Sequence, residues 1–425
     1  MNVQQQTVKD GIPDEEVPIP PEILAEAVEL SRGAEVIPDG AEGLARKIME
    51  CQAAGRKMRV KLGVDPTHVD LHLGHAVQFR TLKRFQDHGH QVVLIIGGFT
   101  AQIGDPSGRN KTRPNLTAED VEANAKTYLE QISTILDLDK IELTNNADWL
   151  APLTLDAVLK LAAKTTVNHM LSKEAFGNRL EKEEPVGLHE LFYPVLQAYD
   201  SVAINADVEL GGTDQRFNIL QGRQLQKACG EAQQLAYLLP LLEGTDGVQK
   251  MSKTYDNYIG LKEPAGDMYG KSMRVPDGLL VKYFNLATSL TGAEVDAIAA
   301  ELKSGAHPME VKHRLARQIV LQYHGAEAAD KAQEEWKRVH SERQAPEDMP
   351  SYVVQEEMML FRVLTEAKLV GGTGEAKRSF ADGGVKVDGE PWSDANAMVT
   401  PDDSHTFVLQ IGRRKFVKVT GRLAK

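Results

Sequence analysis

One junction constrains the fold of this chain more than any other feature. Residues Met58-Arg59-Val60-Lys61-Leu62-Gly63-Val64 are a β-like run. The stretch Asp65-Pro66-Thr67-His68-Val69-Asp70-Leu71-His72-Leu73-Gly74-His75 follows, and residues 76–85 then show helical apolar spacing. Beyond that helix, residues 91–98 form a continuous apolar run closed by two glycines, the pattern of a buried parallel strand. Strand, helix and strand make a βαβ unit, whose crossover is right-handed. The fold predicted is α/β, a doubly wound parallel sheet. Ligands of such sheets lie beyond the carboxyl ends of the strands. His72 and His75 sit where a strand hands over to a helix N-terminus, where free N–H groups and the helix dipole favour a phosphate. Gly74 permits close backbone approach. The loop Phe99 to Arg109 also follows a strand and is expected to face the same site. Alone, the two histidines are equally compatible with ordinary helix-start residues.

A chain of 425 residues predicts two or three domains. No run of about 18 apolar residues exists, and residues 1–6 lack the basic and apolar regions of a secretion signal. Neither membrane insertion nor export is expected. Cys51 and Cys229 offer no metal spacing and no disulfide framework, which suits a reducing cytoplasm and no tightly bound metal. The net charge of −12 argues only weakly against nucleic-acid binding, because distribution matters more than the sum. Residues 411–425 carry six basic residues and no acidic one.

Read in order, residues 1–35 are expected to hold a flexible extension and a first helix. An α/β domain is expected over 36–262, a helical domain over 263–340, a linker over 341–356 and a small α+β module over 357–425. Within the α/β domain, Thr117-Ala118-Glu119-Asp120 has the form of a capping box. Helices are predicted near 21–32, 40–55, 117–136, 152–162, 165–173, 189–198 and 231–243. A short strand is predicted at 207–210, stopped by Gly211-Gly212.

Two motifs then carry a resemblance. His72-Leu73-Gly74-His75 resembles the HIGH signature of class I aminoacyl-tRNA synthetases. Lys250-Met251-Ser252-Lys253-Thr254 resembles their KMSKS signature, and the two lie about 175 residues apart in the expected order. The runs Gly97 to Arg109, Phe192 to Asp200 and Leu210 to Gln215 resemble bacterial tyrosyl-tRNA synthetases. The resemblance covers about residues 30–425. It implies a Rossmann-like catalytic domain that joins L-tyrosine to ATP and passes tyrosyl to tRNA(Tyr), with ATP arriving as its Mg²⁺ complex. It also implies a homodimer.

The same resemblance implies residue roles. Thr67 and His72 would meet the nucleotide phosphates, with His75 near the nucleotide, and Lys250 and Lys253 would hold the departing pyrophosphate, joined by Arg109 and Arg113. Asp214 would take the ribose, with Gly63, Gly74 and Gly212 lying close to the nucleotide. Asp105, Tyr193 and Gln197 would accept from the tyrosine ammonium, and Asp200 would accept from its phenol. Tyr193, Gln197 and Asp200 are spaced so that one helix face carries all three. Gln215 would lie near the tyrosine carbonyl, Asp65 between the two substrates, and Thr100 beside the amino acid. Position 61 departs from the usual pattern. Much of the family has a tyrosine there that shares the phenol, whereas this chain has Lys61, as does one bacterial subgroup. A lysine can donate to the phenol oxygen, or pair with an acid and leave the pocket.

The C-terminal module resembles the RNA-binding module of ribosomal protein S-four, implying that Lys377, Arg378, Arg413, Arg414 and Lys415 contact tRNA phosphates. Three other readings compete. A tryptophanyl-tRNA synthetase shares the signatures but not Asp200 with this tail. Another nucleotidylyltransferase would not need the lysine loop. A non-catalytic RNA-binding protein on the same fold would be expected to lose active-site residues.

Overall fold

The computed structural model describes residues 17–66, 70–107, 117–340, 349–412 and 415–424. They form two compact units. The first comprises residues up to 262 together with 281–300, and the second comprises 263–280 and 301 onwards. Residues 281–300 thus belong with the catalytic portion, although their helical pattern suggested the following domain.

The first unit is built on a six-stranded sheet: β1 (Glu35–Ile37), β2 (Arg59–Val64), β3 (Gln91–Ile96), β4 (Glu142–Asn145), β5 (Val208–Gly212) and β6 (Leu235–Leu239). The order is β1-β6-β5-β2-β3-β4. β6, β5, β2, β3 and β4 run parallel, and β1 adds an antiparallel edge. From β2 the chain first winds outward to β3 and β4, then returns to β5 and β6 on the other side. The order therefore reverses between β2 and β5, the position where a doubly wound sheet opens a ligand crevice. β3 is apolar from Val92 onward because helices cover both faces, and Val92 to Ile96 are all buried.

One element differs in type from the prediction. Residues 231–243 were expected to be helical, yet Leu235–Leu239 is a strand. The run Leu235-Ala236-Tyr237-Leu238-Leu239 is buried on every side and stopped by Pro240, and burial between β5 and β1 outweighs its helix propensity. The remaining helices of this unit match their predicted positions: Pro21–Leu30, Gly40–Ala53, Ala118–Ile132, Leu155–Ala162, Val167–Leu171 and Leu188–Ala203. Thr117 and Asp120 form the predicted capping box. The extension at residues 1–16 lies outside the described residues.

In the second unit, a C-terminal sheet has the order β10-β9-β12-β13-β7, from β7 (Ser351–Val353), β9 (Val385–Val387), β10 (Glu390–Pro391), β12 (Thr406–Ile411) and β13 (Lys415–Thr420). A smaller sheet pairs β8 (Met358–Met359), β11 (Met398–Thr400) and β14 (Arg422–Leu423). Helices Leu360–Glu366 and Thr373–Ala381 pack on a shared core that includes Leu360, Phe380, Leu409 and Val419. Since β7 pairs with β13, the module starts by Ser351, inside the stretch read as a linker. Among the described residues no helix is long and apolar enough to cross a membrane.

Candidate active site

His72 is the extended residue before helix Leu73–Asp87, and its ring is buried. Its N–H donates to His75 Nδ1 at 3.4 Å, and the two rings lie 3.9 Å apart. No acidic residue occupies the first turn, so the positive end of the helix stays available to an anion. Residues 71–73 are stitched to residues 259–261: Leu73 N–H donates to Ile259 O at 2.9 Å and Leu261 N–H to Leu71 O at 3.0 Å. This short antiparallel bridge fastens the lysine loop to the histidine stretch, although the two are far apart in sequence.

The loop is held from within. Asn257 Oδ1 accepts from Ser252 N–H at 2.8 Å, and its Nδ2 donates to Asp246 at 2.8 Å. Met251 is buried, and a Cβ on Gly74 would lie 3.5 Å from Met251 Cβ and 3.0 Å from the His72 ring. Any side chain at 74 would press on the His72 ring where the two signatures pack. Lys253 Nζ pairs with Asp70 at 2.8 Å and sits 5.9 Å above the Tyr258 ring. Lys250 Nζ lies 3.4 Å from Asp214. All four charged side chains keep substantial exposure, so these pairs are weak, about 0–1 kcal/mol each. They hold the lysines without locking them.

The second half of the site lies at the switch point. Asp65 closes β2 and accepts from Tyr193 Oη and Thr100 Oγ1, both at 2.8 Å. A Cβ at Gly97 would come within 1.9 Å of Asp65 Oδ1, so the close approach of this carboxylate demands glycine there. Burial pushes the Asp65 carboxyl up to about 7, opposed by the two hydroxyl donors and reinforced by Asp105 and Asp200. Burial likewise raises the Tyr193 phenol, with Asp65 adding to the effect.

Asp200 is buried on the same helix. Its Oδ1 accepts from Trp149 Nε1 at 2.8 Å and its Oδ2 from Asn146 Nδ2 at 3.3 Å. Burial pushes its carboxyl up to about 6, against the nearby Lys61 ammonium and these two donors. Asp105 accepts from Gln215 Nε2 at 2.6 Å and from Ser107 N–H at 2.8 Å. Gln197 donates to Glu209 Oε1 at 3.2 Å and accepts from Asn218 Nδ2 at 2.9 Å.

The structure thus gathers these residues into two hydrogen-bonded clusters: Asp65 with Thr100, Tyr193 and, through Asn146, Asp200; and Asp105 with Gln215 and, through Asn218, Gln197. Gly63 lies at the end of β2 and Gly212 at the end of β5, beside Asp214. Lys61 differs from a phenol contact. Its three ammonium protons already have acceptors: Ser201 Oγ at 2.8 Å, Glu209 Oε1 at 2.9 Å and Gln197 O at 3.2 Å. Full burial beside a carboxylate on the adjacent strand draws it there. Removing either partner alone would strand a buried charge, costing about 3–5 kcal/mol. Thr67, Arg109, Arg113, Arg413 and Arg414 lie outside the described residues.

Six polar residues of this network were not singled out from sequence: Asn146, Trp149, Lys173, Ser201, Glu209 and Asn218. Lys173 is buried, its Nζ donating to Asn218 Oδ1 at 2.8 Å and lying 3.7 Å from Asp105. Burial lowers its pKa while Asp105 pulls it upward. In the C-terminal module, Lys377 and Arg378 are exposed on helix Thr373–Ala381, with Lys377 Nζ 4.5 Å from the Phe361 ring centre. Lys415 Nζ donates to Leu369 O at 2.7 Å.

A doubly wound sheet with a histidine-bearing helix start and a facing lysine loop defines a class I aminoacyl-tRNA synthetase. The family model for class I tRNA synthetases (W and Y) matches residues 53–341. The chain is 47% identical to the tyrosine–tRNA ligase of Moorella thermoacetica over 92% of its own length and 94% of that protein. It is also 47% identical to the tyrosine–tRNA ligase of Thermotoga maritima, over 86% and 91% respectively. It belongs to the tyrosine–tRNA ligase family. Its fold matches the tyrosyl-tRNA synthetase of Archaeoglobus fulgidus complexed with L-tyrosine, with a TM-score of 0.58 at 23% identity, covering 73% of this chain and 99% of that one.

Proposed function

We propose that the protein activates L-tyrosine with ATP to tyrosyl-AMP and pyrophosphate, then transfers tyrosyl to tRNA(Tyr). The observation that carries this reading is the packing of the two signatures at Gly74 and Met251, in a unit that also holds Asp200 buried at the switch-point side of the sheet. The tyrosine carboxylate is already ionised and attacks the α-phosphorus directly, so catalysis consists of positioning and of stabilising charge on the departing phosphates. His72 and the helix start take the phosphates, with His75 beside the nucleotide and Thr67 as a further donor. Lys250 and Lys253 exchange Asp214 and Asp70 for pyrophosphate oxygens, and Arg109 and Arg113 add to this cluster. Asp214 is thereby released to the ribose hydroxyls. ATP brings its Mg²⁺ as part of the substrate. The tyrosine ammonium lies among Asp105, Tyr193 and Gln197, next to Asp65, and its phenol donates to Asp200. We place the reaction in the cytoplasm.

Amino-acid-dependent ATP–pyrophosphate exchange tests this reading. Exchange with tyrosine is expected; exchange with tryptophan alone would reject the specificity, and none with any amino acid would favour the RNA-binding alternative. The homodimer is supported by exposed Leu155, Leu159, Val167, Leu180 and Leu188 along one stretch of the first unit. Sedimentation should give twice the chain mass; a monomer at micromolar concentration would reject it.

For the tail, Lys377 and Arg378 present two cations to a phosphate backbone. Replacing both by alanine is expected to leave tyrosine activation unchanged. It should weaken tRNA charging and flatten the log–log salt dependence of tRNA binding by roughly 1.4–1.8. An unchanged salt slope would remove them from the interface.

A further inference from the structure

Lys61 and Glu209 lie side by side on adjacent parallel strands, paired in register, and both are buried. Both are sealed from solvent, and together they grip Gln197 at two points. Lys61 Nζ donates to the Gln197 backbone carbonyl at 3.2 Å, and Glu209 Oε1 accepts from the Gln197 side-chain amide at 3.2 Å. Ser201, one turn further along the helix, completes the clamp. Its hydroxyl accepts from Lys61 at 2.8 Å and donates to Glu209 Oε2 at 3.0 Å. Gln234 Nε2 donates to the same Oε2.

The amide orientation at Gln197 follows from this arrangement. Its Nε2 is directed to a carboxylate, and its Oε1 accepts from Asn218 Nδ2 at 2.9 Å. Asn218 in turn accepts from Lys173, which faces Asp105. A carbonyl oxygen has two lone pairs, so Oε1 keeps one for a cationic donor. A flipped amide would turn its N–H₂ toward the substrate ammonium and its oxygen toward Glu209, with repulsion at both ends.

We propose that the Lys61–Glu209 pair is a positioning device for amino-acid binding: it holds the Gln197 carbonyl toward the substrate ammonium and makes no contact with the substrate side-chain hydroxyl. The proposal rests on the tyrosine-activation reading above. It separates Lys61 from a direct phenol contact by a simple criterion. A lost phenol contact weakens tyrosine and spares phenylalanine, which has no hydroxyl. A disordered Gln197 weakens both, because both carry the ammonium.

The test replaces both charges at once, Lys61→Met with Glu209→Met, so that no buried charge is stranded. ATP–pyrophosphate exchange is measured with tyrosine and with phenylalanine on the full chain. KM is expected to rise about tenfold for both amino acids, the loss of one charge-assisted hydrogen bond, with kcat at saturation within about threefold. The tyrosine-to-phenylalanine ratio should stay within about threefold. A tenfold fall in that ratio would return Lys61 to the phenol. A folded double variant with unchanged KM would make the pair purely structural.

Should the double variant not fold, Ser201→Ala removes a neutral member of the clamp and keeps both charges. It is expected to raise both KM values about threefold, and Ser201→Thr, which restores the hydroxyl, should recover most of the loss. Unchanged KM values in Ser201→Ala would overturn the proposal in that case. Wild-type protein that exchanges with no amino acid would instead reject the functional reading beneath it.

Discussion

Lys253→Ala is expected to slow tyrosyl-AMP formation about 10²–10³-fold while leaving tyrosine affinity within about threefold, and His72→Ala should do the same. The magnitude is that of removing one preorganised group aimed at charge that grows in the transition state. The split between rate and affinity follows from where these groups sit. Lys253 is paired with Asp70 and lies over Tyr258, at the histidine end of the site, while the residues around Asp65, Tyr193 and Asp200 belong to a separate hydrogen-bonded surface. Lys253 and Asp70 are both partly exposed, so their ion pair opens readily when a polyanion arrives. Asp70→Asn supplies the control. It frees Lys253 without removing it, and activation should stay within about threefold of wild type. Single-turnover adenylate formation with equilibrium tyrosine binding makes the comparison; equal losses in rate and affinity would show that Lys253 serves binding rather than the transition state.

How much of this site was readable beforehand depended on whether the signal was local. The His72-Leu73-Gly74-His75 junction was readable because strand, turn and helix are contiguous, and Tyr193, Gln197 and Asp200 because helical spacing sets them on one face. The residues that orient them were harder to see. Trp149, Asn146 and Asn218 look like ordinary helix or turn residues in sequence, and only packing brings them against Asp200 and Gln197. One signal was available. Lys61 and Glu209 are each the central charge in an otherwise apolar β-like stretch, Val60-Lys61-Leu62 and Val208-Glu209-Leu210. A charge on the buried face of a strand requires a partner, and opposite signs on two strands of one parallel sheet suggest where it is. Strand β6 was misread for a different reason. Its Leu-Ala-Tyr-Leu-Leu run has no strict period, and a short apolar run does not distinguish a buried strand from a helix. β1 and β4 are three and four residues long and take their form from the sheet they join.

Asp200→Asn should cut the preference for tyrosine over phenylalanine about 10²-fold. A site built to bond a hydroxyl rejects the analogue lacking it by roughly 10⁴–10⁵, a magnitude for which tyrosyl-tRNA synthetases are themselves the usual illustration. Two of the four acceptor positions on Asp200 are filled by Trp149 and Asn146, which leaves room for a phenol O–H. Asparagine has a single acceptor oxygen, and its N–H₂ would face a donor already in place. Tyrosine kcat/KM is expected to fall about 10²-fold and phenylalanine kcat/KM to change less than about threefold. Equal losses for both would place the phenol elsewhere. The pH dependence carries its own sign. Burial pushes the Asp200 carboxyl up to about 6, so the acceptor form prevails above that value. As pH falls through 6, protonation removes the charge and turns one Asp200 oxygen into a donor, so wild-type tyrosine kcat/KM should fall with pH, and Asp200→Asn should lose that part of the fall. Asp65, raised to about 7, titrates nearby, so the wild-type profile reports the carboxylate cluster rather than one residue. The substrate ammonium favours the ionised form of Asp65 and should narrow that contribution once tyrosine is bound. For folding the sign is opposite. A carboxyl whose folded pKa lies above its unfolded value makes the native state less stable as pH rises from about 4 to about 6. Asp200 therefore works against stability at neutral pH, a cost that the proposed recognition of a substrate hydroxyl would account for.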